Sequence, residues 1–124
     1  MLSMVTDIVR AALEQTYIGR MTMYEMVNIL NEDTKVTEQI NEVVAENLPC
    51  RVSYKTISTS LAQEGAYKAT QEIKLFCAPE IKISEGSTLV ITQNGVTNTY
   101  EKSGTPAVYS SHQEIILSLA EEWA

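Results

Sequence analysis

Five consecutive residues, Ser110-Ser111-His112-Gln113-Glu114, hold the densest group of reactive side chains in the chain. A hydroxyl, an imidazole and a carboxylate are the parts of a hydrolytic triad. On an extended chain, however, adjacent side chains point to opposite sides, so Ser111 and His112 are not expected to face each other. No G-x-S-x-G elbow accompanies them. The expected role is that of a strand start whose hydroxyls and imidazole satisfy backbone groups. A small hydrolase using Ser111, His112 and Glu114 remains a rival, which an activity unchanged in His112→Ala would dismiss. In a strand, His112 and Glu114 would share a face and could offer two ligands to a metal. Zinc needs three or four, His112 is the one histidine, and Cys50 and Cys77 would have to converge on the same spot. The expectation is a protein without catalytic, metal or cofactor residues.

The remaining chemistry is sparse. Cys50 and Cys77 form no C-x-x-C pair and read as two reduced, buried thiols. Gly86, Gly95 and Gly104 lie in three separate turns, where they are expected to supply positive φ, and build no phosphate-binding loop. The five methionines, Met1, Met4, Met21, Met23 and Met26, crowd the N-terminal end. They fit a core first and an adaptable interface second. Glu121-Glu122 reads as a solvated face.

The 124 residues fit one domain, able to bury a core without disulfides. Nine Lys+Arg against sixteen Asp+Glu give a formal net charge of −7, and the basic residues are scattered singly. That balance argues against a protein that grips nucleic acid through its phosphates. No apolar run approaches the ~20 residues that span a bilayer. The first residues lack the basic and apolar regions of a signal peptide, which implies a soluble cytoplasmic product.

The elements that must position these residues begin with a helix. Val5, Ile8, Val9, Ala12 and Leu13 recur at helical spacing on one face, predicting a helix over about 4–17. Ser3 is the expected N-cap, Asp7 falls in the first turn and Gly19 is the expected C′ residue. From Arg20 to Leu30 the chain is apolar on both parities, and Thr, Tyr, Val and Ile lean it towards a strand. Asn31-Glu32-Asp33-Thr34 then ends it as a loop. Thr37 to Ala45 gives a weaker run. After Pro49, Cys50, Val52 and Tyr54 alternate with Arg51, Ser53 and Lys55 as a half-buried strand.

Ser58-Thr59-Ser60-Leu61-Ala62-Gln63-Glu64-Gly65-Ala66-Tyr67 is small and polar and reads as part of a long mobile connection over about 56–69. Ile73, Leu75 and Cys77 mark another strand, stopped at Ala78-Pro79. Ile81 and Ile83 precede a Ser84-Glu85-Gly86 turn. Leu89 and Ile91 lead into Asn94-Gly95, a type I′ hairpin signal, with Val96, Asn98 and Tyr100 on the return strand. After Ser103-Gly104-Thr105-Pro106, Ala107-Val108-Tyr109 gives a short strand. Ser111 to Ala124 fits a strand through Ile115, Leu117 and Leu119, or a helix through Ile115, Ile116, Leu119 and Trp123. The expected fold is mainly β: a small antiparallel β-barrel of about six strands (20–124) with an N-terminal α-helix (1–19), in a single domain. Its core is expected to include Val52, Tyr54, Ile73, Leu75, Leu89, Ile91 and Tyr100.

The order of segments from Glu46 to Ala124 resembles the head-closure (stopper) family of head–tail connector proteins in tailed bacteriophages, often labelled minor capsid proteins in prophages. The residues that carry the likeness are Glu46-Asn47-Leu48-Pro49-Cys50-Arg51-Val52-Ser53-Tyr54-Lys55, Gln71 to Phe76, Pro79 to Ser87 and Tyr100 to Glu114, closing with Trp123-Ala124. The resemblance implies a small β-barrel that assembles as a homo-oligomeric ring below the portal and adaptor, monomeric when isolated. It implies a protein of the virion's head–tail interface, made in the bacterial cytoplasm, with no enzymatic role and no membrane contact. Its partners would be portal, adaptor and tail proteins, and its work retaining packaged DNA and docking the tail. The loop at about 56–69, with Gly65 as hinge, would face the channel or a neighbouring ring. An acidic channel wall would let DNA pass without sticking. The rival roles are a tail-completion or tail-terminator protein, which a helical C-terminus would favour, and a host binding barrel.

Overall fold

The computed structural model describes residues 2–61 and 66–120. Helix α1 (Leu2–Glu14) is followed by seven strands: β1 (Gly19–Asn31), β2 (Val36–Leu61), β3 (Ala66–Cys77), β4 (Thr88–Gln93), β5 (Val96–Lys102), β6 (Ala107–Val108) and β7 (Gln113–Leu119). All pairings are antiparallel. They run β3-β2-β1-β4-β5-β7, and β7 pairs back onto β3, so six strands close the sheet on itself while β6 lies along β7. The mainly β reading and the N-terminal helix agree with the expectation, and β7 resolves the helix-or-strand ambiguity for 113–119.

The closed sheet wraps one apolar core. Met21, Met23, Cys50, Val52, Ile73, Leu75, Cys77, Leu89, Ile91, Tyr100, Ile115 and Leu117 are all buried, as alternation along each strand requires. Tyr54 departs from the expected core. It is 46% exposed at the rim and reaches inward only through its hydroxyl, which hydrogen-bonds the Tyr100 hydroxyl. Cys50 and Cys77 face each other across β2 and β3 as free thiols. Burial pushes both up to about 12, so they are neutral and poorly nucleophilic.

Side-chain amides close two gaps that the strands leave. β1 begins at Gly19, opposite Cys50, so β2 beyond that point loses its neighbour on that side. Gln93 fills the place: its Oε1 accepts the Val52 N–H at 2.8 Å and its Nε2 donates to the Val52 carbonyl at 3.0 Å. Gly19 permits this approach, since a Cβ there would meet the Cys50 carbonyl and Gln93 Oε1 at 3.0 Å. Gln113, fully buried, donates through Nε2 to the carbonyls of Ala78 (2.8 Å) and Ile81 (2.6 Å) and pins the segment between β3 and β4. The Asn94-Gly95 turn is as expected, with φ of 53° and 76°. Gly104 corrects its expectation, because it does not adopt positive φ.

The helix departs from its sequence reading in two ways. It starts at Leu2, so Ser3 lies inside it and Asp7 falls beyond the first turn; Gly19 opens β1 instead of capping α1. The C-terminal end is closed by Thr16, whose hydroxyl donates to the Leu13 carbonyl at 2.6 Å. More consequential is orientation. Thr6, Arg10 and Leu13, with buried Tyr17 just beyond, turn towards the body, and Arg10 forms a bidentate ion pair with Glu80. The apolar stripe of Met4, Val5, Ile8 and Val9 faces outward.

Candidate functional site

The Ser-His-Glu group assembles, against expectation. Ser111 Oγ lies 3.0 Å from His112 Nδ1, and His112 Nε2 lies 2.8 Å from Glu114 Oε2. The reason is local: residues 110–112 form a bend before β7 begins, so neighbouring side chains are not forced to opposite faces. Since the carboxylate can only accept, Nε2 carries the proton and Nδ1 accepts from the Ser111 hydroxyl. Donation by His112, supported by Lys74 at 3.2 Å, holds the Glu114 carboxyl below its usual range.

This chain of bonds braces the bend. Ser111 is buried, and neither the cleft beside Tyr100 nor the one beside Gln113 is lined by Ser111 or His112. The imidazole stacks on Tyr109, with centroids 4.9 Å apart, and more distantly on Phe76 at 6.1 Å. The Arg51 guanidinium lies over the Phe76 ring, 4.5 Å from its centroid. The Tyr109 N–H donates to the His112 carbonyl at 2.8 Å, closing the turn between β6 and β7. A stacked, hydrogen-bonded histidine joins β2, β3 and β7 at the surface. Among the described residues, no group of three or more His, Cys, Asp or Glu is arranged to hold a metal.

The larger functional features are two ribbons built on one strand. β2 is 26 residues long, far more than its contacts with the closed sheet use. Towards its N-terminal end, Val36–Val43 pairs only with Tyr24–Asn31, and only Tyr24 of that stretch also reaches β4. This first ribbon is a hairpin, in which the strand from Arg20, the loop after Asn31 and the run from Thr37 that the sequence suggested pair with one another. Towards the C-terminal end, β2 from Lys55 to Leu61 pairs only with Ala66–Glu72 of β3, because β1 has ended opposite Cys50, and β3 in turn meets β7 only from Ile73 onward.

The second ribbon corrects the long-loop expectation for about 56–69. Ser58 pairs with Ala69, Thr59 with Lys68, Ser60 with Tyr67 and Leu61 with Ala66. Ala62, Gln63, Glu64 and Gly65, including the expected hinge, lie outside the described residues. Small polar residues were read as a loop because large apolar ones are missing. A two-stranded ribbon is held by its backbone pairing, and its threonines suit a strand. The segment chosen as the contact region is therefore a β-arm.

Beside the second ribbon, Val52, Tyr54, Ile91, Gln93, Asn98 and Tyr100 line a cleft of about 440 Å³ at the mouth of the closed sheet. The missed signals were the buried glutamines and the outward helix stripe. Periodicity identifies an amphipathic helix but not the direction its apolar face takes.

No protein-family model matches the sequence, and no curated protein matches it. Among solved structures, the chain is similar to the phage-like element PBSX protein xkdH from Bacillus subtilis. The TM-score is 0.51 at 11% sequence identity, with 82% of this chain and 93% of that chain covered. The likeness is one of fold, extending over most of both molecules.

Proposed function

We propose that the chain is a structural protein of a tailed phage or prophage, acting as a head-closure component of the head–tail connector. In this reading it forms a ring below the portal and adaptor, helps close the DNA exit channel, and presents the docking surface for the tail. The observation that carries the proposal is the fold shared with a phage-like element protein over nearly all of that protein's length. The two ribbons support it, since a subunit of a stacked ring needs surfaces that reach its neighbours. The strand state of 113–119 supports it over a tail terminator, for which a C-terminal helix was the distinguishing expectation. A net charge of −7 suits a wall past which DNA moves without adhering.

The function is mechanical in this account. The closed sheet is the rigid unit, the second ribbon (Lys55–Leu61 with Ala66–Glu72) is the gate or neighbour contact, and the bend at Ser111-His112 is a brace. The test is the oligomeric state of the purified protein, alone and mixed with the portal–adaptor complex encoded beside it, by light scattering and negative-stain microscopy. The expected result is an added ring on the connector. A protein that ignores the connector but forms stable rings on tail tubes would transfer the assignment to a tail terminator. Deletion of Ser58–Tyr67 is expected to abolish DNA retention; intact retention would remove the gate from the second ribbon.

A further inference from the structure

The cleft at the mouth of the closed sheet combines an apolar floor with a neutral wall. Val52 and Ile91, both buried, meet the amides of Gln71 and Asn98 and the hydroxyls of Tyr54 and Tyr100. Nothing that lines it is charged at neutral pH. Large apolar side chains stand exposed around the opening, with Leu119 at 55%, Val96 at 57% and Tyr54 at 46%. A volume of about 440 Å³ falls in the range of cavities that hold small organic groups.

The chain itself leads to this opening. β7 ends at Leu119, opposite Tyr100, and Leu119 belongs to the lining. One residue further on, the Ala120 N–H donates to the Thr99 carbonyl at 3.0 Å, which fixes the backbone at the rim. Glu121-Glu122-Trp123 follow in sequence, outside the described residues. Trp123 is the one tryptophan of the chain, and three extended residues carry it at most ~10 Å from Ala120. The exposed stripe of α1 belongs to a helix anchored elsewhere. Arg10 pairs with Glu80, between the Ala78 and Ile81 carbonyls that Gln113 holds, at the far end of β7. From Gln113 to Leu119 that strand runs ~20 Å. The cleft is therefore the apolar surface that this stretch meets first.

An indole suits the cleft chemically. Its rings are apolar, and its single N–H needs one acceptor, which the side-chain oxygens of Gln71, Asn94 and Asn98 offer. Carboxylates do not suit it, so Glu121 and Glu122 would stay over the rim in water. We propose that Trp123 seats in the cleft of its own copy, against Val52, Ile91 and Leu119. Seated there, it bridges two elements that diverge at the mouth. On one side are Gln71 of the second ribbon and the adjoining Tyr54; on the other are Val96 and Asn98 of β5. The indole is thus a clasp that holds the second ribbon against the closed sheet. The inference does not rest on the head-closure reading, and the purified chain alone tests it.

Trp123 is its own reporter, since it can be excited selectively over the tyrosines. Its emission is expected to lie to the blue of N-acetyltryptophanamide, with acrylamide quenching about three-fold weaker and no change on dilution. Solvent-like emission with full quenching overturns the proposal. A red shift on dilution also overturns it, because the seat would then belong to another copy. Position is read from the triplet lifetime of the indole, which contact with a thiol shortens. Val96→Cys, at an exposed rim position, is expected to shorten it about ten-fold, and Val108→Cys, exposed beside the far end of β7, to leave it unchanged. An unchanged lifetime in Val96→Cys, or a shortened one in Val108→Cys, overturns the assignment. The clasp is read separately: Trp123→Ala is expected to speed amide exchange in the second ribbon about five-fold, with far-UV circular dichroism unchanged. Equal exchange in the two proteins would overturn the clasp.

Discussion

The closed sheet and the first ribbon use similar residues to opposite ends. Met21 and Met23 sit on β1 within the core and are buried, whereas Met26, three residues on along the same strand, is half exposed. What separates them is the number of neighbouring strands. Between Arg20 and Tyr24, β1 is flanked by both β2 and β4; beyond Tyr24 only β2 remains. An apolar residue in the sheet contributes stability to the fold, and one in the ribbon is free to contribute it to assembly. Substitutions should therefore divide cleanly, with the sheet answering in stability and the ribbon in association.

The largest expected effect is alkaline, and it belongs to the sheet alone. Cys50 and Cys77 have their thiols raised from 9.0 to about 12 by burial, so the folded state keeps protons that the unfolded chain releases. Their contribution is full below pH 9 and is lost as pH rises towards 12. Urea denaturation across pH 7–11 should show midpoints falling above 9, with a shallower fall in Cys50→Ala. A flat profile would mean that the thiols are hydrated and the core is less tight than described.

Leu75→Ala comes next, at about 3–4 kcal/mol of lost stability, because Leu75 is fully buried and its truncation leaves a cavity in the core. Gln113→Leu should cost about 2 kcal/mol, since the Ala78 and Ile81 carbonyls lose their donor. Both are read from denaturation midpoints. At the small end, Leu30→Asn in the ribbon should change stability by less than about 0.5 kcal/mol, as an exposed site does. The same substitution should nevertheless weaken addition of the ring to the connector, read by negative-stain microscopy. A Leu30→Asn protein as unstable as Leu75→Ala would erase the distinction between ribbon and sheet.

The sequence was most legible where one face meets the core. Alternation located Cys50-Val52, Ile73-Leu75-Cys77 and Leu89-Ile91, and Asn94-Gly95 located its hairpin, because each signal is local and tied to burial. The second ribbon was illegible for want of that signal: Ser58–Leu61 offers no apolar alternation, so composition mimics a loop while the backbone is fully paired. The helix stripe was seen, but periodicity carries no information on the direction it faces. Ser111 and His112 came together because a bend cancels strand alternation there. Gln93 and Gln113 gave no local signal; each answers carbonyls or amides more than thirty residues away.

The register of the sheet also orders events in time. The two ribbons are hairpins whose strands turn back within a few residues, whereas β1 meets β4 through pairs such as Arg20 with Thr92, and β3 meets β7 through Ile73 with Leu117. Closing a long loop costs more chain entropy than closing a short one, and non-local pairing slows folding. The hairpins are expected to zip first and the non-local β1–β4 and β3–β7 pairings later. Leu117→Ala should accordingly accelerate unfolding while leaving the refolding rate nearly unchanged; a slowed refolding limb would reverse the order. A nascent subunit would then display its outreaching ribbons before its interior is sealed, so its contact surfaces would exist before the rigid unit they serve.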